Sequence, residues 1–269
     1  MFATNGREFL EQLRTKSGIW FWDGRRSHNL SRPLRHWYHP QDLWALLHQD
    51  FDQAQQKLID QPFDYDFELR PYQQAAIQAV ENALAQDQQQ LLLAMATGTG
   101  KTKTAIALIY RLLKAKRFRR ILFLVDRTAL GEQSQDAFQE TRMEGQQIFA
   151  DIFEVKSLKD LEIDRDTRVH ICTVQAMVKR LLYPAETAPI FTAGQYDCII
   201  IDECHRGYLL DKEMGEVELS FRDEKDYISK YRQVLTFFDA VKIGLTATPA
   251  LHTSEIFGPP IYTYSYRAA

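Results

Sequence analysis

Only three cysteines, Cys172, Cys198 and Cys204, occur in 269 residues. Their number is odd, no spacing pairs them, and two lie in apolar runs that read as buried strands, so a disulfide framework is excluded. Long apolar runs are missing as well. The longest, Leu91 to Ala96, falls far short of the roughly 18 residues that a membrane helix needs. The opening stretch Met1 to Glu8 has no signal-peptide core, so a cytoplasmic chain without a membrane partner is expected. Neither sign of charge dominates: 33 Lys+Arg stand against 36 Asp+Glu, a formal net charge of −3. That balance decides nothing about nucleic acid, because a local basic groove can bind phosphates while other faces stay acidic. With 45% apolar and 26% charged residues, disorder is excluded as the main state. The length allows one large domain, or one with a small appendage.

All four tryptophans (Trp20, Trp22, Trp37, Trp44) and four histidines (His28, His36, His39, His48) fall in the first 48 residues, which sets off an N-terminal segment, residues 1–66. Within it, residues 7–14 read as helix and Ile19 to Trp22 as strand. Pro40 opens a second helix with Asp42 near its positive end, and Pro62 to Asp66 reads as a linker. Such aromatics are expected to form the segment's core. Glutamine is dense from Gln53 to Gln90, yet Leu69, Tyr72, Ala76, Val80 and Leu84 recur at helical spacing.

From Leu91 onward, short apolar runs alternate with amphipathic stretches. Leu91 to Ala96, Ile121 to Val125, Val169 to Thr173, Cys198 to Ile201 and Val241 to Leu245 read as strands. Thr102 to Leu113, Ala129 to Gln139, Gln175 to Leu182 and Ile228 to Phe238 read as helices. Continuous apolar strands need cover on both faces, so residues 67–269 are expected to form a doubly wound α/β lobe around a parallel sheet. Ligands of such folds bind beyond the carboxyl ends of the strands.

Thr97-Gly98-Thr99-Gly100-Lys101-Thr102 stands at the end of the first strong strand, directly before a helix. Glycines let backbone N–H groups close around phosphate oxygens, and the helix start offers about half a positive charge to the same anion. Lys101 is expected to reach the β and γ phosphates, and Thr102 to ligate Mg²⁺. Met95 stands where the strict G-x-x-x-x-G-K-T pattern has its first glycine. A second apolar strand ends in Asp202-Glu203-Cys204-His205. Asp202 is expected to hold Mg²⁺ and Glu203 to orient or deprotonate the attacking water. Cys204 and His205 have no second pair at zinc-ligand spacing.

Leu69-Arg70-Pro71-Tyr72-Gln73, Asp126-Arg127-Thr128 and Gly244-Leu-Thr-Ala-Thr-Pro249 complete an ordered set that resembles superfamily-2 helicases and translocases. The resemblance implies a P-loop, RecA-like lobe whose cofactors are ATP and Mg²⁺. It implies that Arg70 and Gln73 lie at the nucleotide, with Gln73 reading adenine. It also implies that His205, Thr246 and Thr248 couple hydrolysis to movement, and that Arg127, Thr173 and Gln175 touch the nucleic-acid backbone.

A narrower resemblance rests on Ile201-Asp-Glu-Cys-His-Arg-Gly-Tyr208, Phe221 to Tyr227, Val241 to Thr253, and Phe2 to Arg7 with Gly18 to Asp23. These stretches are similar to the R subunit of type I restriction enzymes. That family joins a nuclease domain to two motor lobes and pumps duplex DNA past methyltransferase and specificity subunits. The resemblance implies that residues 1–66 are the end of the nuclease domain, lacking its catalytic acids and lysine, and that a second lobe with its arginine finger would follow Ala269. Glu154-Val-Lys156 has a nuclease-like form but reads as an ordinary strand end. Five cations in Lys114 to Arg120 read as a solvated face or helix-end charge rather than a DNA contact. Two alternatives stay open: another superfamily-2 DNA or RNA helicase, and a nucleotide-binding fragment without turnover.

Overall fold

The computed structural model describes residues 1–13, 16–25, 31–126, 128–157, 160, 163–184, 190–205 and 224–265. Three short strands, β1 (Phe2–Thr4), β2 (Ile19–Phe21) and β3 (Arg32–Leu34), form an antiparallel sheet. Helix α1 (Pro40–Leu47) follows, with Asp42 in its first turn. Helix α2 (Phe51–Asp60) is capped by Asp50, whose carboxylate accepts the Gln53 N–H at 2.9 Å. The α2 pattern is weak in the sequence because only Ala54 and Leu58 are buried among its polar residues.

The lobe runs through α3 (Pro71–Ala85), β4 (Gln90–Met95), α4 (Lys101–Lys114), β5 (Ile121–Val125) and α5 (Thr128–Glu140). A small hairpin of β6 (Arg142–Glu144) and β7 (Gln147–Ile148) leads to α6 (Phe149–Ile152), β8 (Glu154–Lys156), β9 (Thr167–Thr173) and α7 (Val174–Leu182). It closes with β10 (Cys198–Ile201), α8 (Glu224–Phe237), β11 (Val241–Thr246), α9 (Leu251–Phe257) and β12 (Tyr262–Tyr264). Seven strands pair in the order β12-β4-β11-β10-β5-β9-β8, every pair parallel. The five expected strands are all present, within two residues at each end, and the fold is the RecA-like doubly wound α/β class.

Side chains alternate across a strand, so each strand feeds two cores. Leu91, Leu93, Ile121, Phe123, Ile200 and Ile243 pack under α3 and α4, whereas Leu92, Leu122, Leu124, Ile199 and Ile201 pack under α7 and α8. Burial on both faces is why the strands read as unbroken apolar runs. The three cysteines are free and buried. Among the described residues, no helix is long and apolar enough to cross a membrane.

Several local expectations are corrected. In residues 7–13 only a single 3-10 turn forms, Glu11–Leu13. Leu10 and Leu13 stay exposed, and the Ser17 hydroxyl takes the Leu13 carbonyl at 2.8 Å, so no buried face supports a longer helix. The tryptophans do not build the N-terminal core: Trp22, Trp37 and Trp44 are exposed, and Ile19, Phe21, Leu34 and Ala193 make it instead. Pro62 to Asp66 has no helix or strand but packs Phe63 and Tyr65 on the core. Glu154–Lys156, by contrast, is ordinary strand as expected, β8, with Lys156 paired to Glu154 at 3.1 Å and Asp164 at 2.8 Å.

The basic run is only in part a solvated face or helix-end charge: Lys114, in the last turn of α4, and Lys116 are exposed. Arg117 and Arg120 are buried, Arg120 donates to the Thr167 and Asp164 carbonyls at 3.1 and 2.9 Å, and Arg119 pairs with Asp42 at 2.6 Å. These cations brace the amino edge of the sheet and tie α1 to it. Tyr38 and Arg32 add bonds from the N-terminal segment to Asp239.

Arg111 is the most demanding buried cation. Its guanidinium meets Glu81 at 2.5 Å, donates to the Leu58, Gln61 and Pro62 carbonyls at 2.8, 2.9 and 3.1 Å, and lies over the Phe63 ring. Burial pushes the Glu81 carboxyl up, and Arg111 opposes that shift. Removing one partner strands the other charge in the interior, so Arg111→Ala is expected to lose about 3–5 kcal/mol in urea unfolding. The double replacement Arg111→Met with Glu81→Leu is expected to lose far less. Equal losses for the two variants would show that the stranded charge is not the cause.

Candidate functional site

The register of three strands assembles the site. β11 lies between β4 and β10, pairing Thr246 with Ala94 on one side and Gly244 with Ile201 on the other. The turn after β4, the acids after β10 and the Thr-Ala-Thr segment after β11 therefore emerge side by side at the carboxyl edge.

After β4 the chain turns through Thr97 and Gly98, both exposed, to Thr99 and Gly100, and α4 begins at Lys101. Gly98 and Gly100 have φ of +80° and +76°, values that side chains with a Cβ rarely adopt. A Cβ on Gly100 would also lie 2.6 Å from Gln73 Nε2. Met95, at the place of the missing first glycine, is still inside β4 and fully buried, where no left-handed backbone is needed. No side chain caps the start of α4, which leaves its first N–H groups facing the turn.

Opposite stands the acid pair. Lys101 Nζ lies 3.2 Å from Glu203 Oε1, with both side chains largely buried. Glu203 has φ +47°, an unusual conformation for a residue with a Cβ, and its N–H donates to Asp202 Oδ1 at 2.9 Å. Asp202 also takes a hydrogen bond from the Thr102 side chain. Burial, and then the neighbouring Glu203 charge, push its carboxyl up to about 6. Glu203 Oε2 is buried without a hydrogen-bond partner among the described residues, 3.3 Å from His205 Nδ1. His205 Nδ1 in turn lies 2.8 Å from Thr246 Oγ1, which accepts the Thr248 N–H at 3.1 Å. Lys101, Glu203, His205 and Thr246 thus form one continuous line of polar contacts.

Cys204 is buried beneath this line, its thiol pushed up by desolvation, and a Cβ on Gly244 would lie 2.9 Å from Cys204 Sγ. The glycine of β11 lets the acid-bearing turn settle against the sheet. Sequence reasoning placed Gly244 in a motif but gave it no role.

The other expected residues fall as follows. Arg70, at the start of α3, is exposed, and its N–H donates to Gln73 Oε1 at 2.9 Å. Gln73 is buried, and its amide donates to Thr99 O at 3.0 Å. The structure therefore sets Gln73 against the phosphate turn. Tyr72, given no role in the sequence motif it shares with Gln73, donates its hydroxyl to the same Thr99 carbonyl at 3.1 Å. Thr173 caps α7 by accepting the Ala176 N–H at 3.1 Å, and Gln175 sits in that helix's first turn. Both lie at the carboxyl edge, beyond β5 from the acids. Arg127 lies outside the described residues.

A cleft of about 570 Å³ opens beside these groups, lined in part by Gly100, Thr102, Lys103, Asp202 and Phe67. Another cavity, of about 370 Å³, lies at the opposite edge, near the strand starts at Arg119, Asp197 and Val241. It is remote from the acid pair.

An uncapped helix start behind two left-handed glycines, a buried lysine and a half-buried acid pair thus meet at the carboxyl edge of a RecA-like lobe. Residues 66–251 match the family described as type III restriction enzyme, res subunit, and the chain belongs to that family. Residues 1–47 match the family described as type I restriction enzyme EcoKI endonuclease subunit second domain. The type I restriction enzyme EcoKI endonuclease subunit of Escherichia coli (strain K12) is 51% identical over 268 residues, covering 100% of this chain and 23% of its own length. The EcoAI endonuclease subunit of Escherichia coli is 34% identical over 241 residues, 85% of this chain and 26% of its own. The similarity to type I restriction subunits thus runs along the full chain, and the chain spans about a quarter of the length of these relatives. Among solved structures, the ATP-dependent type ISP restriction-modification enzyme LlaBIII bound to DNA shares the fold, with TM-score 0.51 and 19% identity over 75% of this chain and 15% of its own.

The raised Asp202 carboxyl carries a stability consequence. Its folded-state pKa, about 6, lies above the ordinary aspartate value of 3.8, so ionised Asp202 opposes folding above pH 6 and costs nothing below pH 4, where both states hold the proton. In chelator-containing buffer, Asp202→Asn is expected to stabilise the protein at pH 7.5 by on the order of 1–3 kcal/mol, with the gain fading towards pH 4. Denaturant midpoints across that range test it. A gain independent of pH would point to packing instead.

Proposed function

We propose that residues 67–269 are the ATP-binding lobe of a DNA-translocating motor in a type I restriction R subunit, and that residues 1–66 close its nuclease domain. The carrying observation is the line of contacts from Lys101 through Glu203 and His205 to Thr246. It joins the phosphate turn to the segment that the family resemblance assigns to coupling.

The residues fit ATP with Mg²⁺. Thr97, Gly98, Thr99 and Gly100 offer an open backbone cradle, Lys101 a buried cation, and Thr102 with Asp202 a hydroxyl and carboxylate already in contact. Glu203 Oε2, buried without a hydrogen-bond partner among the described residues, is placed to accept a proton from an attacking water. Bound at Thr102 and Asp202, Mg²⁺ supplies charge neutralisation for the phosphate oxygens. Lys101 exchanges Glu203 for phosphate when nucleotide arrives, and the freed carboxylate turns to water and to His205. His205 passes that change to Thr246 and Thr248 through hydrogen bonds already made.

Thr173 and Gln175, with Arg127 assigned by the family resemblance alone, contact the backbone of duplex DNA without reading sequence. Sequence reading falls to the specificity subunit, with which the methyltransferase subunit completes the complex in the cytoplasm.

Calorimetric titration with Mg-ATP, beside ATP hydrolysis with duplex DNA or single-stranded RNA, tests the reading. Lys101→Ala is expected to weaken nucleotide binding about 10- to 100-fold, the worth of a lost charge-assisted contact, and duplex DNA to stimulate any turnover more than RNA. Unchanged affinity in Lys101→Ala would overturn the site. Stimulation by RNA alone would overturn the substrate.

A further inference from the structure

The phosphate turn is held from behind by groups that no motif assignment explains. A peptide unit is planar and trans, so its N–H and C=O point in opposite directions. Fixing the Thr99 carbonyl therefore fixes the Gly100 N–H, and fixing the Gly100 carbonyl fixes the Lys101 N–H. Thr99 O is held by two donors, Gln73 Nε2 at 3.0 Å and Tyr72 Oη at 3.1 Å. Gly100 O receives the Thr104 N–H at 2.9 Å and the Thr104 hydroxyl at 3.0 Å. With both carbonyls held from the rear, the two N–H groups are turned towards the cradle by the protein's own contacts.

Tyr72 is itself fixed by the last strand. The Tyr264 ring stacks on it with centroids 4.0 Å apart and planes 10° from parallel, and the Tyr262 hydroxyl donates to the Tyr72 carbonyl at 2.9 Å. Tyr264 O also accepts the Ala96 N–H at 3.0 Å, where β4 ends and the phosphate turn starts. Strand β12 thus grips the turn at its entry through the backbone and at Thr99 through Tyr72.

We propose that Tyr72 and Tyr264 are positioning residues for phosphate binding: with Gln73 they brace the Thr99 carbonyl so that the turn's N–H groups are set before nucleotide arrives, and β12 governs that brace. This rests on the nucleotide-binding reading and deepens it. Sequence resemblance gives Gln73 to adenine; the brace predicts instead an effect on the phosphates, whatever base they carry.

The test separates those roles by titrating the whole chain with two probes, Mg-ATP and base-free Mg-tripolyphosphate. Tyr72→Phe keeps the ring stack and loses only the hydroxyl. It is expected to weaken both probes alike, about two- to tenfold, the range of one net hydrogen bond. Tyr264→Phe keeps the ring and should bind as the parent does, whereas Tyr264→Ala should weaken both probes by a similar factor, as loss of an aromatic pair allows. Weakening of Mg-ATP alone would overturn the proposal in favour of base recognition. Parent-like binding by both Tyr72→Phe and Tyr264→Ala would overturn it outright, while Lys101-dependent binding by the parent leaves the nucleotide site standing. A parent chain that binds neither probe overturns the nucleotide-site reading and the brace with it.

Discussion

Insertion of β11 between β4 and β10 is the constraint on which the site depends. Parallel neighbours advance together, so three strand ends emerge side by side at successive spacings of about 5 Å. Gly244 lets β11 fit there, because a side chain at that position would strike Cys204, the residue that seats the acid-bearing turn. The polar line at the edge is thus a consequence of apolar packing below it. The β10 and β11 strands are held by cores on both faces, and only their last residues are free to carry chemistry.

Charge at that edge is unbalanced by design of the fold. Among the described residues Asp202 and Glu203 share one close cation, Lys101, in a partly dehydrated setting, and burial first, then the Glu203 charge, holds the Asp202 carboxyl up. A divalent cation and a polyphosphate would each relieve part of it: the metal by pairing with Asp202, the phosphates by drawing Lys101 away from Glu203.

The fold was legible where burial on both faces leaves an unbroken apolar signature, as in Ile121 to Val125 and Cys198 to Ile201, whose ends were read to the residue. The phosphate turn and the acid pair were legible because their chemistry depends on residue type at fixed spacing. The N-terminal segment was not. Residues 7–13 carry helical spacing but bury no face, and three tryptophans that look like core stand in solvent. The basic run misled for a related reason: composition shows five cations, but not that Asp42, Asp164 and Thr167 lie across the fold to receive them. Gln73 shows the same limit at the site, since its partner Thr99 is 26 residues away in sequence.

The two edges of the sheet therefore divide the work. At the amino edge, Arg117, Arg119 and Arg120 are buried or paired, binding α1 and the strand starts into one body. Cations committed to carbonyls and carboxylates inside the fold cannot also neutralise a phosphate backbone without giving up those bonds, each worth about 1.5–3 kcal/mol when charge-assisted. DNA binding in the proposed motor thus falls to the carboxyl edge, where Thr173 and Gln175 stand at the start of α7, two strands from Asp202. On that proposal nucleotide and DNA share one edge, with β5 the strand that separates the acids after β10 from Thr173 at the end of β9.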